Sequence, residues 1–434
     1  MSPHALSIAR AAAAIRRGEL SSVGLVQACL DHIRDADGPV RAWAWLDPQL
    51  SLDQARDADR ARRDGRPLGP LHGVPVGVKD VFDAAGLPAE FGSPIHAGRR
   101  PAVDAVAVAR LRAAGAVILG KTVTTEFAYY HPGKTANPHD PRRTPGGSSS
   151  GSAAAVAALM VPGAIGTQTN GSVIRPAAFC GVVGFKPTHG LIPRTGALLL
   201  SRALDHVGTF TRTVEDAALM VDAMAGPDAG DPDARAPAAP LAGDLEPRKP
   251  RLAFVRTPVW DQAEPATRQA VEALASRLGA AAVDLPAPFD AAVDFQRIVM
   301  DVEMARNLRR EYDTARDRLS DRLRTLIERG RATPEADYRR AIDGIAALNR
   351  AIQPIFAGHD AILTPSAPGE APLGLDATGN PIFCTIWTYL GTPAITLPLL
   401  KGPAGMPLGV QLVAARGADH ALLRAARWLE QLSL

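Results

Sequence analysis

Cysteine is scarce in these 434 residues, and Cys29, Cys180 and Cys384 are odd in number and far apart. Such spacing carries neither a disulfide framework nor a paired-cysteine metal knuckle, and it fits a reducing compartment. An excess of one charge is missing too: 48 basic residues face 45 acidic ones, the net is +3, and the basic residues are scattered. A nucleic-acid face needs a denser positive stripe, so nucleic acid is not an expected partner. Lysine is rare, at six of the 48 basic residues, which makes each lysine worth tracing. No apolar run reaches the ~18 residues that a spanning helix requires. The longest low-charge stretch, about 151–166, is shorter and is broken by glycine and proline. The start of the chain meets Arg10 inside an alanine-rich stretch, without the apolar core of a signal peptide behind a basic start. These absences lead us to expect a cytoplasmic protein with no membrane partner.

What is present is globular in character. The chain is 46% hydrophobic and 21% charged, with 39 glycines and 37 prolines, and at this length a folded chain buries about three-quarters of its unfolded surface. Residues 5–66 show helical apolar spacing, with Ser21 or Ser22 as the N-cap of a second helix, so two or three helices should precede any strand. The first strand is expected at 73–80 (Gly-Val-Pro-Val-Gly-Val-Lys-Asp), followed by an amphipathic helix over 104–114 and a buried strand over 116–120. Alternation of this kind argues for an α/β sheet. From Pro145 to Pro187 the chain is rich in Gly, Ser, Ala and Thr, yet its apolar runs place it inside the core rather than in a linker. The linker is expected at 225–250, followed by long charged helices over 300–356. Strands at 360–365, 394–399 and 409–413 and a closing helix over 419–432 complete the pattern. No internal repeat is visible.

Several motifs can be set aside on chemical grounds. Gly115-Ala-Val-Ile-Leu-Gly-Lys-Thr122 has the spacing of a phosphate-binding loop, but its four middle residues belong in a strand, so it reads as a buried strand ending in a surface or capping lysine. The ten histidines show no metal-ligand spacing, His72, His131, His189 and His206 read as polar core or loop residues, and no metal or cofactor is expected. No G-x-S-x-G elbow is present, so serine chemistry would need a base other than the usual histidine.

Three separated elements supply one. They are Lys79 at a strand end, Ser148 in Gly146-Gly-Ser-Ser-Ser-Gly-Ser152, and Ser172 in Gly166-Thr-Gln-Thr-Asn-Gly-Ser-Val-Ile-Arg-Pro176. With the 24-residue interval between the two serines, and with Thr125-Glu-Phe-Ala128, Gly181 to Pro187 and Gly391-Thr-Pro-Ala394, the sequence resembles the amidase signature family. The later arginine, Arg175, is shared with its short, malonamidase-like members. The resemblance implies a single α/β domain over 1–434, a twisted mixed β-sheet core flanked by α-helices. The catalytic core would span about 73–226 and 360–434, with a helical cover over about 227–358.

The resemblance also implies roles. Ser172 would be the nucleophile, Ser148 (in a cis peptide) the proton relay, and Lys79 the base, which works only if burial lowers its pKa from about 10.4. The backbone N–H groups of Thr169, Asn170, Gly171 and Ser172 would form an oxyanion hole, supported from behind by Thr167 and Ser149. Asn170 stands where the family usually has glycine, and a left-handed backbone there is expected to be tolerated. Gln168 stands where an acid is common. Arg175 is either an anchor for a substrate carboxylate or an arginine tied to backbone carbonyls. Phe127, Tyr129, Tyr130, Trp387 and Tyr389 are candidate pocket aromatics, alongside His131. The expected activity is hydrolysis of a carboxamide C–N bond through an acyl-enzyme. The alternatives are a carbamate or urea substrate for the same triad, a partner-dependent amidotransferase subunit, and a non-catalytic scaffold. The expected partner is a small-molecule amide or carbamate; a homodimer is left open.

Overall fold

The computed structural model describes residues 2–432. Eleven strands form one mixed sheet: β1 (Trp43–Leu46), β2 (Pro75–Lys79), β3 (Val117–Thr122), β4 (Gly163–Gln168), β5 (Val183–Lys186), β6 (His206–Thr211), β7 (Leu252–Arg256), β8 (Ala281–Asp284), β9 (Ala361–Pro365), β10 (Ala394–Lys401) and β11 (Pro407–Val413). Their order is β1-β3-β2-β4-β6-β5-β10-β11-β9-β7-β8. Neighbours run parallel in β3-β2-β4 and in β9-β7-β8, and antiparallel elsewhere. Helices cover the sheet, and β2, β3, β6 and β9 are buried along their whole length. No described helix is long and apolar enough to cross a membrane.

Most expected elements are in place. Ser21 caps the helix Ser22–Val40 by accepting from the Gly24 amide at 2.9 Å. The 104–114 helix is Val106–Ala113, and the long charged region resolves into Ala292–Asn307, Arg309–Ala315, Asp321–Ala332, Glu335–Ala351 and Gln353–Gly358. Two expectations need correction. The strand β1 comes earlier than the first strand read from sequence; its Trp-Ala-Trp-Leu is too short to show a period and is defined by pairing with β3. The segment 227–358 is not wholly a helical cover, because β7 and β8 lie within it and extend the sheet beyond β9. Leu252 to Val255 are buried and β7 is paired on both edges, which a five-residue apolar run cannot announce by itself.

The Gly/Ser-rich stretch is core. Its centre is β4, flanked by the helices Ser150–Ala157 and Ile174–Cys180, and its small side chains allow close backbone approach. A Cβ on Gly151 would lie 2.2 Å from the Ala42 carbonyl oxygen and 2.3 Å from the Val123 nitrogen, so only glycine fits there.

The phosphate-loop look-alike is β3, buried throughout. Lys121 is neither a surface nor a capping residue: it is fully buried, pairs with Asp80 at 2.9 Å, and donates to the carbonyls of Phe82 and Pro88 at 2.8 and 2.7 Å. Burial lowers its pKa and the Asp80 charge opposes that shift. Because breaking a buried pair strands the remaining charge, Lys121→Met should destabilise the protein by about 3–5 kcal/mol. Adding Asp80→Asn should recover much of that loss. Urea midpoints of wild type, single and double variants check this.

Candidate active site

Lys79 ends β2 with no exposed surface. The strands β3 and β4 flank it in parallel register, with Val78 opposite Lys121 and Ile165, so the amine cannot turn to solvent. Its Nζ donates to Ser148 Oγ at 2.8 Å and to Thr167 Oγ1 at 2.8 Å. Desolvation holds the Lys79 pKa well below the ordinary amine range, against the opposing charge of Asp205. The Gly147–Ser148 peptide is cis. Ser149 donates through Oγ to the Thr167 carbonyl at 3.2 Å and receives the Thr167 amide at 3.4 Å, so Thr167 and Ser149 brace β4 against the serine-rich turn.

Ser148 and Ser172 line one narrow cleft together with Thr169, Asn170, Gly171, Arg175, Tyr129 and Tyr130. Among the described residues, the four amides from Thr169 to Ser172 meet no protein acceptor. The turn is fixed by its side chains and carbonyls instead. Gln168 Oε1 accepts from the Val173 and Ile174 amides at 2.8 and 2.9 Å, which caps the helix behind Ser172, and its Nε2 donates to Thr388 Oγ1 at 2.9 Å. A neutral amide therefore does the capping that an acid could do, and it also supplies a donor.

Asn170 does not adopt the expected left-handed backbone: neither it nor Gly171 has a positive φ. Its side-chain oxygen accepts from Thr385 Oγ1 at 2.8 Å and its carbonyl accepts from Thr388 Oγ1. Glycine is needed one residue later, since a Cβ on Gly171 would lie 2.7 Å from Pro381 Cβ.

A family model described as Amidase matches residues 24–423. The chain belongs to the amidase signature family. The A subunit of the glutamyl-tRNA(Gln) amidotransferase from Chloroflexus aurantiacus is 35% identical, covering 99% of this chain and 97% of that protein. A solved chain from a vestigial protein complex bearing on the evolutionary origins of an s-triazine catabolic enzyme superposes with a TM-score of 0.93 at 31% identity, covering 99% of each. The peptide amidase of Stenotrophomonas maltophilia gives 0.86 at 32%, covering 99% of this chain and 98% of that one.

Within this amidase-signature fold the pocket aromatics divide. Tyr129 and Tyr130 line the cleft, edge to face at 4.7 Å. Phe127, Trp387 and Tyr389 are fully buried and do not line it. Phe127 packs against the His96 ring, and the Tyr389 hydroxyl donates to the Ala341 carbonyl under the helix Glu335–Ala351. Trp387 sits in the helix Ile382–Tyr389, every residue of which after Ile382 is buried. All three are core. The exposed His131 is also outside the cleft lining.

Arg175 lines the cleft but is tied to the protein: Nη1 donates to the Gly379 carbonyl at 2.6 Å, and Nη2 to the Gly147 carbonyl at 2.6 Å and to Thr378 Oγ1 at 3.2 Å. A guanidinium grips a carboxylate along an edge that contains Nη2, and both Nη2 hydrogens are engaged here. The backbone-tied reading is the one the geometry supports.

Sequence reasoning missed Asp205, just before β6. It accepts from Thr169 Oγ1 at 2.6 Å and from the Leu200 and Ser201 amides at 2.7 and 3.0 Å, and burial pushes its carboxyl up to about 6. Its sequence surroundings, Leu204-Asp205-His206, carry no motif that points to it. Met300, Met304, Leu200, Thr378 and Pro381 complete the lining from segments without motif character.

Two expectations follow. Lys79→Met should lower kcat by about 10²–10⁴-fold and yet raise stability at neutral pH. Between the depressed native pKa and about 10.4 the unfolded chain binds the extra proton, so wild-type stability rises with pH across that window and the variant's advantage shrinks. Urea midpoints at pH 7 and 9 test this, and a variant weaker than wild type at both would refute it. Arg175→Ala should lower kcat/KM for acidic and neutral amides alike, because the hydrogen bond it removes holds the Gly147 carbonyl; steady-state rates on malonamate and a neutral amide check the parity.

Proposed function

We propose that the protein hydrolyses a carboxamide C–N bond through a Ser172 acyl-enzyme. The observation that carries this reading is the fully buried Lys79 amine 2.8 Å from Ser148 Oγ, at the edge of the cleft that also holds Ser172 and four unengaged amides.

With Lys79 neutral, the contact to Ser148 reverses and the serine hydroxyl donates to Nζ. Ser172 Oγ then attacks the substrate carbonyl carbon as its proton passes to Ser148 Oγ and the Ser148 proton passes to Lys79. The developing oxyanion meets the amides between Thr169 and Ser172; one such donor is worth about 3–4 kcal/mol of barrier. Collapse breaks the C–N bond, and the proton returns from Lys79 through Ser148 to the departing ammonia or amine. Water then repeats the sequence on the ester and frees Ser172. A carbamate or urea carbonyl would meet the same groups, since the chemistry acts on the carbonyl and not on its second substituent.

The sequence relatives favour a second reading, the partner-dependent subunit of an amidotransferase. The first half-reaction is identical; the difference is whether ammonia goes to water or to an acceptor held by a partner. Release of ammonia or amine from malonamate, a neutral aliphatic amide, an aryl anilide and an aryl carbamate, by the isolated chain, separates them. Turnover of at least one substrate, falling to the blank in Ser172→Ala, is expected. Turnover that appears only with added amidotransferase partner subunits would favour the second reading. Appreciable activity in Ser172→Ala would remove Ser172 from the nucleophile role, and silence under both conditions would leave the fold as a scaffold.

A further inference from the structure

The cleft that holds Ser172 does not end at its tyrosines. A second, wider depression of about 1020 Å³ lies against it, and the two share Tyr129, Tyr130, Thr378 and Pro381 as a common wall. The far side of the outer depression is the first turns of the helix Asp321–Ala332, with Arg322, Thr325 and Arg329.

Charge in this outer cleft is almost wholly cancelled. Arg329 is engaged through Nε and Nη2 by the buried Asp301, and Asp321 is paired with Arg324. Arg322 is the exception: among the described residues it forms no ion pair, and its one hydrogen bond runs from Nη1 to the Tyr130 carbonyl at 3.0 Å. That bond fixes the guanidinium at the shared wall and leaves the Nε/Nη2 edge free, the edge with the spacing of a carboxylate's two oxygens. Inside the wall, Arg175 has no such edge to offer. The first cation able to grip a carboxylate on the way out from Ser172 is therefore Arg322.

We propose that the outer cleft receives the end of the substrate remote from the scissile amide, and that Arg322 is the specificity-determining residue there, selecting substrates that end in a carboxylate. This rests on the amide-hydrolase reading above and narrows it to elongated ω-carboxy amides. Short acids such as malonamate place both ends inside the inner cleft and gain nothing from Arg322.

The test is a chain-length series of dicarboxylic monoamides, malonamate, glutaramate, adipamate and suberamate, each against the neutral alkyl amide of equal length. For wild type, the ratio of kcat/KM for acid over neutral amide should rise once the chain passes the shared wall, and should fall with added salt because the arginine is exposed. In Arg322→Ala the ratio for the longer pairs should drop about three- to tenfold while the malonamate ratio stays put. Arg322→Lys should recover part of it, and Arg322→Glu should push it below that of Arg322→Ala. Equal loss on charged and neutral amides would show that Arg322 merely props Tyr130 and would overturn the proposal, as would a ratio indifferent to chain length. If wild type turns over neither member of any pair, the hydrolase reading fails separately. Calorimetric titration of adipate against wild type and Arg322→Ala still decides the site: about three- to tenfold weaker binding in the variant supports it, and equal affinity overturns it.

Discussion

A buried amine with no anion beside it is the constraint on which the site depends. Lys79 has no exposed surface, its neighbours in β3 and β4 are packed on either side, and its two contacts are neutral hydroxyls. Nothing adjacent neutralises an ammonium; the one opposing charge acting on it, Asp205, is engaged with Thr169 and the Leu200–Ser201 backbone. Folding therefore works against the proton, and the free energy of burying β2 is what holds the pKa of this amine below its ordinary range. The contrast with Lys121, one strand away, is instructive. It is equally buried, but Asp80 at 2.9 Å and two carbonyls surround it, and it serves as a structural cation. The same residue type in adjacent parallel strands gives an amine among neutral hydroxyls in one case and a buried ion pair in the other, and the partner decides which.

Much of this was legible from the residues. Lys79, Ser148 and Ser172, which the structure brings together, stand out in the sequence by unusual local composition: a lysine closing a buried apolar run, and serines among glycines too small to cover them. The backing pair Thr167 and Ser149 came with the same segments. Asp205, Gln296 and the cleft residues of the helix Ala292–Asn307 were not legible, because their relation to Ser172 exists only across the sheet and carries no sequence period. The aromatic residues show the limit from the other side. Phe127, Tyr129, Trp387 and Tyr389 are all bulky aromatics in sequence, and only tertiary packing separates Tyr129 on the cleft wall from Phe127 against His96 and from Trp387 and Tyr389 in the buried helix Ile382–Tyr389. In the same way β7 and β8 gain strand character from pairing with β9 and with each other, which a four- or five-residue run cannot display.

Positions that depart from the usual family residues turn out to be internally consistent. Gln168 caps the helix Ile174–Cys180 with its oxygen while its nitrogen holds Thr388, and Thr388 and Thr385 in turn hold Asn170. The substitutions form one network across β4 and the helix Ile382–Tyr389. An acid at 168 would lack the donor that reaches Thr388, and a glycine at 170 would lack the acceptor that Thr385 uses. The turn carrying the unengaged amides is thereby held by side chains from a distant part of the chain. That fixes the turn without a left-handed residue.

The same logic reaches into the segment between the linker and β9. Gln296 donates to the Thr169 carbonyl at 3.2 Å, Asn307 donates to the Leu200 carbonyl at 2.9 Å, and Glu303 accepts from Ser201 Oγ and from Tyr338 at 2.8 Å. One helix, Ala292–Asn307, thus grips the 169–172 turn at one end and the Asp205 loop at the other, while Met300 and Met304 between them form part of the cleft wall. The methionines shape the cleft wall and the polar residues of the same helix hold the 169–172 turn and the Asp205 loop, three to four residues from them. A change in what the cleft accepts must keep the polar positions in register, which favours changing the wall by exchanging methionines, whose unbranched side chains repack readily, over moving the helix. Selectivity that needs a fixed charge is then better placed outside this helix, on an element that touches the cleft without supporting the catalytic turn. The helix Asp321–Ala332 has that position: it meets the outer cleft through Arg322 and Thr325 and makes no hydrogen bond to residues 167–172.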